Sequence, residues 1–286
     1  MSAVLSPADW HARAQAHERR ADALTADHRA RAAAGEKHPV WDFLFTYYSY
    51  KPSQLRRWHP GAGVTLQEAP ERQGWRWYSA GDAPGDAMPD ATVYREDKPE
   101  LAALVERMLR RTAARPAQFG CFGLHEWATV YQAEDHRHPA PLRLGQDGTD
   151  AVVEAHDLRC THFDAFRFFT PAAVPRNREL LSRDTQPHIE QPGCLHAGMD
   201  LYRWAMKLGP LISGEMLLDT FELARDIRLL DMQAAPYELS AWGVQPVRIE
   251  TPDGKAEYVR QQRGFAERGA VLRERLLHAW LGTEPV

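Results

Sequence analysis

The sequence predicts a mainly α fold: a single helical domain over residues 1–286 with a minor β-hairpin element. Three observations carry this. Amphipathic segments opened by Pro or Ser recur along the chain, whereas the one hairpin signal lies late in it. At 286 residues the chain can bury one large core, and no repeat or low-complexity linker divides it. Apolar residues make up 44% and charged residues 26%, a globular balance that excludes a disordered chain.

The first helix is expected over 6–34. Ser6 is an N-cap, Pro7 suits the first helical position and Asp9 favours the positive helix end. Trp10, Ala14, His17, Ala21, Leu24 and His28 recur at four- and three-residue steps on one face, and Gly35 is a stop. The remaining faces are highly charged, so this helix is expected across the surface of the domain. A second helix starts at Pro39 and runs through 41–48, ended by Pro52 and Pro60-Gly61. Residues 61–97 are rich in Gly, Pro and Asp and read as irregular. Leu101, Leu104, Val105 and Met108 mark a third helix and 119–132 a fourth, with a polar loop over 134–150. Residues 151–170 read either as extended around 152–153 and 160–163 or as helix through Phe169. Further helices are expected over 175–182, 192–208 and 213–232. Residues 247–258 alternate around Pro252-Asp253-Gly254, the hairpin signal, and a last helix covers 258–281, ending at Gly282.

The charge balance is 35 basic against 39 acidic residues, net −4, so no whole-molecule field draws in nucleic acid. No stretch approaches ~18 apolar residues, and no membrane span is expected. The opening MSAVLSPADW lacks the apolar run of an export signal. The three cysteines cannot all pair with one another, which fits reduced thiols and a cytoplasmic location. No His-Glu-x-x-His, Gly-x-Ser-x-Gly, P-loop, post-strand Gly-x-Gly-x-x-Gly or paired Glu-x-x-His is present. These absences argue against zincins, typical α/β hydrolases, P-loop enzymes, dinucleotide-binding dehydrogenases and di-iron bundles.

Each cysteine precedes a histidine closely: Cys121-Phe-Gly-Leu-His125, Cys160-Thr-His162 and Cys194-Leu-His196. On a helix Cys121 and His125 share a face, as do His196 and Asp200; in an extended segment Cys160, His162 and Asp164 alternate onto one face. The cysteines read most simply as small buried hydrophobes, because the CxxC pairs of a structural zinc site are absent. His125 with Glu126, His162 with Asp164 and His196 with Asp200 lie in apolar, aromatic segments, where isolated charge is costly. They are expected to converge on one site, or else to serve separately as structural His–carboxylate pairs. Glu215, Asp219, Glu222 and Asp226 form an acidic stripe, readable as ligands of a hard cation or as a solvated helix face, with Leu217, Phe221 and Ala224 opposite it.

The densest aromatic run is 41–58, followed at once by basic residues. Tyr47, Tyr48 and Trp58 offer stacking surfaces, and Arg56 and Arg57 offer charges for phosphates, as a flipped base requires. The competing reading is a buried aromatic helix with a surface loop. The strings KHPVWDFLFTYYSYKPSQLRRWHPG, CFGLHEWATVYQ, CTHFDAFRFFTP and QPGCLHAGMDLYRWAMKL resemble those of bacterial proteins catalogued as 3-methyladenine DNA glycosylases, across about 37–262. The chain lacks the helix-hairpin-helix glycine loop of helical alkyl-base glycosylases. The resemblance implies hydrolysis of the N-glycosidic bond of an alkylated purine, with DNA as partner and no cofactor. Glu126, Asp164 and Asp200 would then stabilise oxocarbenium character or activate water, oriented by His125, His162 and His196. Two alternatives stand beside it. One is a helical metal-dependent enzyme on a small molecule, with His125, His162 and His196 holding a divalent transition metal. The other is a non-enzymatic ligand- or nucleic-acid-binding module. No protein partner is indicated.

Overall fold

The N-terminal caps form as their residue types dictate. A computed structural model describes residues 3–133 and 140–281. Ser6 Oγ accepts the Asp9 amide at 3.3 Å, and Gly35, at φ 70°, closes helix α1 (Pro7–Ala34). Trp10, His17 and Ala21 on the expected face are buried, and Thr25 joins them. The helices that follow are α2 (Phe43–Tyr47), α3 (Pro52–Leu55), α4 (Pro70–Gln73), α5 (Ala91–Asp97), α6 (Pro99–Ala113), α7 (Leu124–Ala128), α8 (Gly145–Glu154), α9 (Phe163–Phe166), α10 (Gln186–Ile189), α11 (Leu195–Leu208), α12 (Gly214–Gln233) and α13 (Pro252–Leu281). The fold is mainly α with a minor β element.

At the centre α11 packs against α12, and α13 packs on both. Their contact faces bury Met199, Tyr202 and Leu208 against Leu218, Phe221 and Ile227. Each such side chain contributes about 1.5–3 kcal/mol by leaving water. Gly198 lets α11 approach α12 closely, since a Cβ there would meet Ile227 Cδ1 at 2.7 Å. Leu217, Phe221 and Ala224 face inward, as their spacing requires. The acidic residues opposite them are ion-paired: Glu215 with Arg13 at 2.9 Å, Asp219 and Glu222 with Arg20 at 2.9 and 2.8 Å, and Asp226 with Arg268 at 3.0 Å. Arginines pair with that stripe, and two of them come from α1 lying across it.

The β element is not where the sequence places it. Residues 247–258 form no hairpin. Thr251 Oγ1 accepts the Gly254 amide at 3.1 Å, Pro252 takes the first helical position, and α13 runs on from there. Three strands instead arise in the stretch read as irregular, β2 (Val64–Leu66), β3 (Tyr78–Ala80) and β4 (Ala87–Pro89), and a fourth, β1 (Ala3–Leu5), precedes α1; the sheet order is β1-β2-β4-β3. β1 pairs parallel to β2 with Leu5 opposite Leu66, and β3 pairs antiparallel to β4 with Ser79 opposite Met88. Three-residue strands are too short to show alternation, which explains their invisibility in the sequence. The sheet covers a satellite core of Trp10, Trp58, Leu66 and Tyr78.

Other boundaries shift for local reasons. The helix expected from Pro39 begins only at Phe43, because the Asp42 side chain accepts the His38 amide and both Arg31 and His28, fixing a turn first. The helix expected over 119–132 shrinks to α7 because Phe122 (φ 50°) and Gly123 (φ 74°) are left-handed. Residues 175–182 hold only a single 3-10 turn, Val174–Arg176. The Asn177 side chain there pairs with the Cys160 backbone, accepting its N–H at 2.8 Å and donating to its C=O at 3.1 Å. Residues 151–170 are helical in α8, then extended, then helical in α9. The polar loop read over 134–150 ends in α8; its residues 134–139, and Gly282, lie outside the described residues. Among the described residues no helix is long and apolar enough to cross a membrane.

Candidate active site

Three segments distant in sequence bring their histidines together. The left-handed pair Phe122-Gly123 turns the chain so that α7 starts abruptly and sets His125, buried, against α12. His162 is the N-cap residue of α9, and His196 lies in the first turn of α11. The His196 ring stands 4.5 Å from that of His125, edge to face, and 5.2 Å from that of His162, nearly parallel.

Carboxylates divide the three into two groups. His125 Nε2 meets Asp231 Oδ1 at 2.8 Å, and His125 Nδ1 lies 3.5 Å from Cys121 Sγ. Arg228 Nη1 donates to the other Asp231 oxygen at 2.7 Å and to Glu126 Oε1 at 3.2 Å. Arg228 is itself buried, its guanidinium 3.8 Å from the centre of the Phe43 ring. In the second group His162 Nε2 lies 3.3 Å from Asp200 Oδ2 and 3.5 Å from Glu190 Oε2. The Tyr48 hydroxyl donates to Asp200 Oδ1 at 2.9 Å, while Thr112 and Gln186 donate to Glu190 at 3.3 and 3.0 Å. Asp164 is buried nearby, its carboxylate bound by Arg203 at 2.9 Å, Arg183 at 3.3 Å and Arg167 at 3.5 Å.

Burial opposes charge on these groups, and pairing overrides it selectively. Burial alone would depress His125, yet Asp231 beside it holds the imidazole well above its ordinary range. Burial would raise Asp231, and His125 instead holds it far below the carboxylate range. Burial and the neighbouring His125 push His196 well down, so its imidazole is neutral. Burial would likewise lower His162, but its bond to Asp200 raises it, and His162 in turn lowers Asp200 against burial. Burial raises Glu190. Among the described residues, Nδ1 of His162 and Nδ1 of His196 are buried without a hydrogen-bond partner.

Two donor sets result. One atom each from His125, His196 and Asp231 lie within 4.8 Å of one another, and the same holds for His162, Glu190 and Asp200. The expected three-histidine ligand set is therefore split: His162 belongs with carboxylates, and Asp231 replaces it beside His125 and His196. The first set adjoins a cavity of about 210 Å³ whose lining includes His125, His196, Glu126, Asp164 and Arg228, with Phe43, Tyr47 and Phe168 as aromatic lining.

The aromatic run itself divides. Tyr47 lines the cavity and Tyr48 reaches Asp200, whereas Arg56, Arg57 and Trp58 do not join the site. Beyond α3, Arg56 pairs with Glu18 at 2.8 Å and Asp22 at 3.1 Å on α1. The Arg57 guanidinium lies over the Trp75 ring. Trp58 is buried in the satellite core and donates to Glu215 at 3.2 Å. Both arginines and the tryptophan thus serve the junction of α1, α12 and the small sheet.

Sequence reasoning missed Asp231, Arg228 and Glu190. A signal existed for the first two: Arg228 and Asp231, three apart, flank Leu229-Leu230 and precede Met232, an ion pair set inside an apolar run. Glu190 sits at the end of a four-residue helix and carries no periodic signal. Comparison of the chain with family models, curated proteins and solved structures finds no match.

Proposed function

We propose that the chain is a metal-dependent hydrolase acting on a small molecule, with a divalent transition-metal ion held by His125, His196 and Asp231. The carrying observation is that two imidazoles and a carboxylate hold donor atoms within 4.8 Å of one another, two of these residues lining the cavity. Three protein ligands of this kind leave a further coordination position for water or substrate. A metal so held lowers the pKa of bound water to about 7 and supplies the nucleophile. Glu126, in the cavity lining and steadied by Arg228 at 3.2 Å, is the base that accepts the water proton. Arg228 and Tyr47 face charge developing on the substrate. Cys121 at His125 Nδ1 orients the imidazole so that Nε2 points to the ligand set. At about 210 Å³ the cavity is smaller than the roughly 300–1,000 Å³ of pockets for drug-sized ligands, which suits a small substrate or the reacting end of a larger one. Free thiols at Cys121, Cys160 and Cys194 support a reducing, cytoplasmic setting.

The test is chelation and reloading. Metal-stripped protein is expected to lose hydrolysis of ester, amide and N-glycoside panels, and Zn²⁺, Mn²⁺ or Co²⁺ to restore it. Asp231→Asn and His196→Ala should each lose more than the roughly 10–100-fold typical of removing an outer-shell partner. Full activity in metal-free protein would overturn the reading. A second reading follows the glycosylase resemblance: metal-free hydrolysis of an alkylated purine nucleotide, supported by Phe43, Tyr47 and Phe168 beside Glu126 and Asp164, a lining that suits a cationic base. Chelator-insensitive release of methylated purine from duplex DNA would favour it.

A further inference from the structure

We propose that the protein holds a second, fully enclosed metal ion, bound by His162, Glu190 and Asp200 directly behind the first. The inference deepens the reading above and rests on it for the neighbouring ion, but its own donor set is separate. All three side chains are buried, with relative exposures of 1%, 2% and 1%. None of them lines the cavity, so an ion here is closed to substrate and acts on the architecture of the site.

Spacing distinguishes this group from an ion pair. A charge-assisted N–H to carboxylate bond is about 2.7–2.9 Å. The His125–Asp231 contact has that length, at 2.8 Å, so an ion at the first set must displace the shared proton and draw those two atoms apart. His162 Nε2 instead stands 3.3 Å from Asp200 and 3.5 Å from Glu190. Ligand atoms about 2.0–2.2 Å from a tetrahedral ion lie about 3.3–3.6 Å from one another, which is the spacing seen.

Charge and hydrogen bonding agree with this. Two buried carboxylates face one imidazole, each with an oxygen toward Nε2. Arg203 reaches Asp200 only at 3.4 Å, and Asp164 takes its shorter bond. The carboxylates are already oriented: Tyr48 donates to Asp200 Oδ1 and Thr112 to Glu190 Oε1, while Oδ2 and Oε2, which also accept from Arg203 at 3.4 Å and Gln186 at 3.0 Å, face His162. One nitrogen and two oxygens suit Zn²⁺, Mn²⁺ or Fe²⁺. His196 stands between the two sets, its ring 4.5 Å from His125 and 5.2 Å from His162.

The experiment is metal stoichiometry by plasma mass spectrometry on full-length protein reloaded with Zn²⁺ and desalted, for wild type, Glu190→Gln and Asp231→Asn. About two ions per wild-type chain and about one in each variant are expected. One ion that survives Glu190→Gln and is lost in Asp231→Asn overturns the second site and leaves the catalytic reading standing. One ion lost in Glu190→Gln and retained in Asp231→Asn does the reverse. No ion in wild type overturns both. Should either variant fail to fold, Co²⁺ titration of wild type followed by its visible absorption decides: saturation at about two equivalents supports the proposal, and at one or none rejects it.

Discussion

Asp42 sits where α1 meets the turn before α2, and it accepts bonds from Arg31 at 2.6 Å, His28 at 2.8 Å and the His38 amide at 2.8 Å. Burial would raise its pKa, but Arg31, His28 and the amide together bring it to about 2. A carboxyl whose folded pKa is depressed stabilises the fold above its unfolded pKa, near 4, and loses that contribution as pH falls toward the folded value. Asp42→Asn should therefore cost about 2 kcal/mol at pH 7, with the gap to wild type closing near pH 2. Urea unfolding of both proteins across pH checks this; a gap unchanged at low pH would reject it. Legibility at this scale followed residue chemistry. His125, His162 and His196 were visible because an imidazole next to a carboxylate inside an apolar string is conspicuous. Asp231 and Glu190 were not, because their partners lie 106 and 28 positions away by number and only the packing of α12 and α10 supplies them. Arg56 and Arg57 were misplaced because position in the chain beside an aromatic run says nothing about which face of the fold they reach. Their partners are on α1 and in the turn between α4 and β3.

Helices with caps at both ends were readable, and those defined by tertiary strain were not. Ser6 with Gly35 bounds α1, and Ser213 Oγ accepts the Met216 amide at the start of α12. The Thr-Pro-Asp-Gly string of α13 was ambiguous, because Pro-Asp-Gly serves a turn or a helix start equally well. What decides it is burial of Tyr258, Leu272 and Leu276 against the central helices, a long-range effect. The first residue of α12 gives a test at this scale. A Cβ on Gly214 would lie 2.5 Å from Trp58 Cδ1 and 2.7 Å from His17 Nδ1, both on buried side chains. Alanine ordinarily stabilises a helix by up to about 1 kcal/mol over glycine. Here overpacking against two rings outweighs that, and Gly214→Ala is expected to destabilise by about 1–3 kcal/mol. A thermal melt in which the variant equals or exceeds wild type would show that α1 and Trp58 yield more readily than their packing indicates.

At the scale of the whole molecule, the two donor sets join elements from distant parts of the chain. α11 contributes to both, with His196 to one and Asp200 to the other. α7 and α12 complete the first set, while the segment entering α9 and the residue following α10 complete the second. An ion at each would bind the folded chain and not the unfolded one, so stability must rise with metal concentration. At free metal about 100-fold above the dissociation constant the gain is about 2.7 kcal/mol per ion. In a chain of this size that corresponds to a rise in Tm of roughly 5 °C per ion. Chelation should lower the wild-type Tm accordingly, and Zn²⁺ should restore it. Each of Asp231→Asn and Glu190→Gln should halve the chelator's effect, because each leaves one set intact. The double variant should melt at the same temperature with and without chelator. That control separates ion binding from non-specific effects of the chelator, since it removes both donor sets. If wild type shows the double variant's indifference, the buried histidines and carboxylates hold the helices together through protons and hydrogen bonds alone. The cavity would then depend on Glu126 and Asp164 for its chemistry, as the metal-free reading requires.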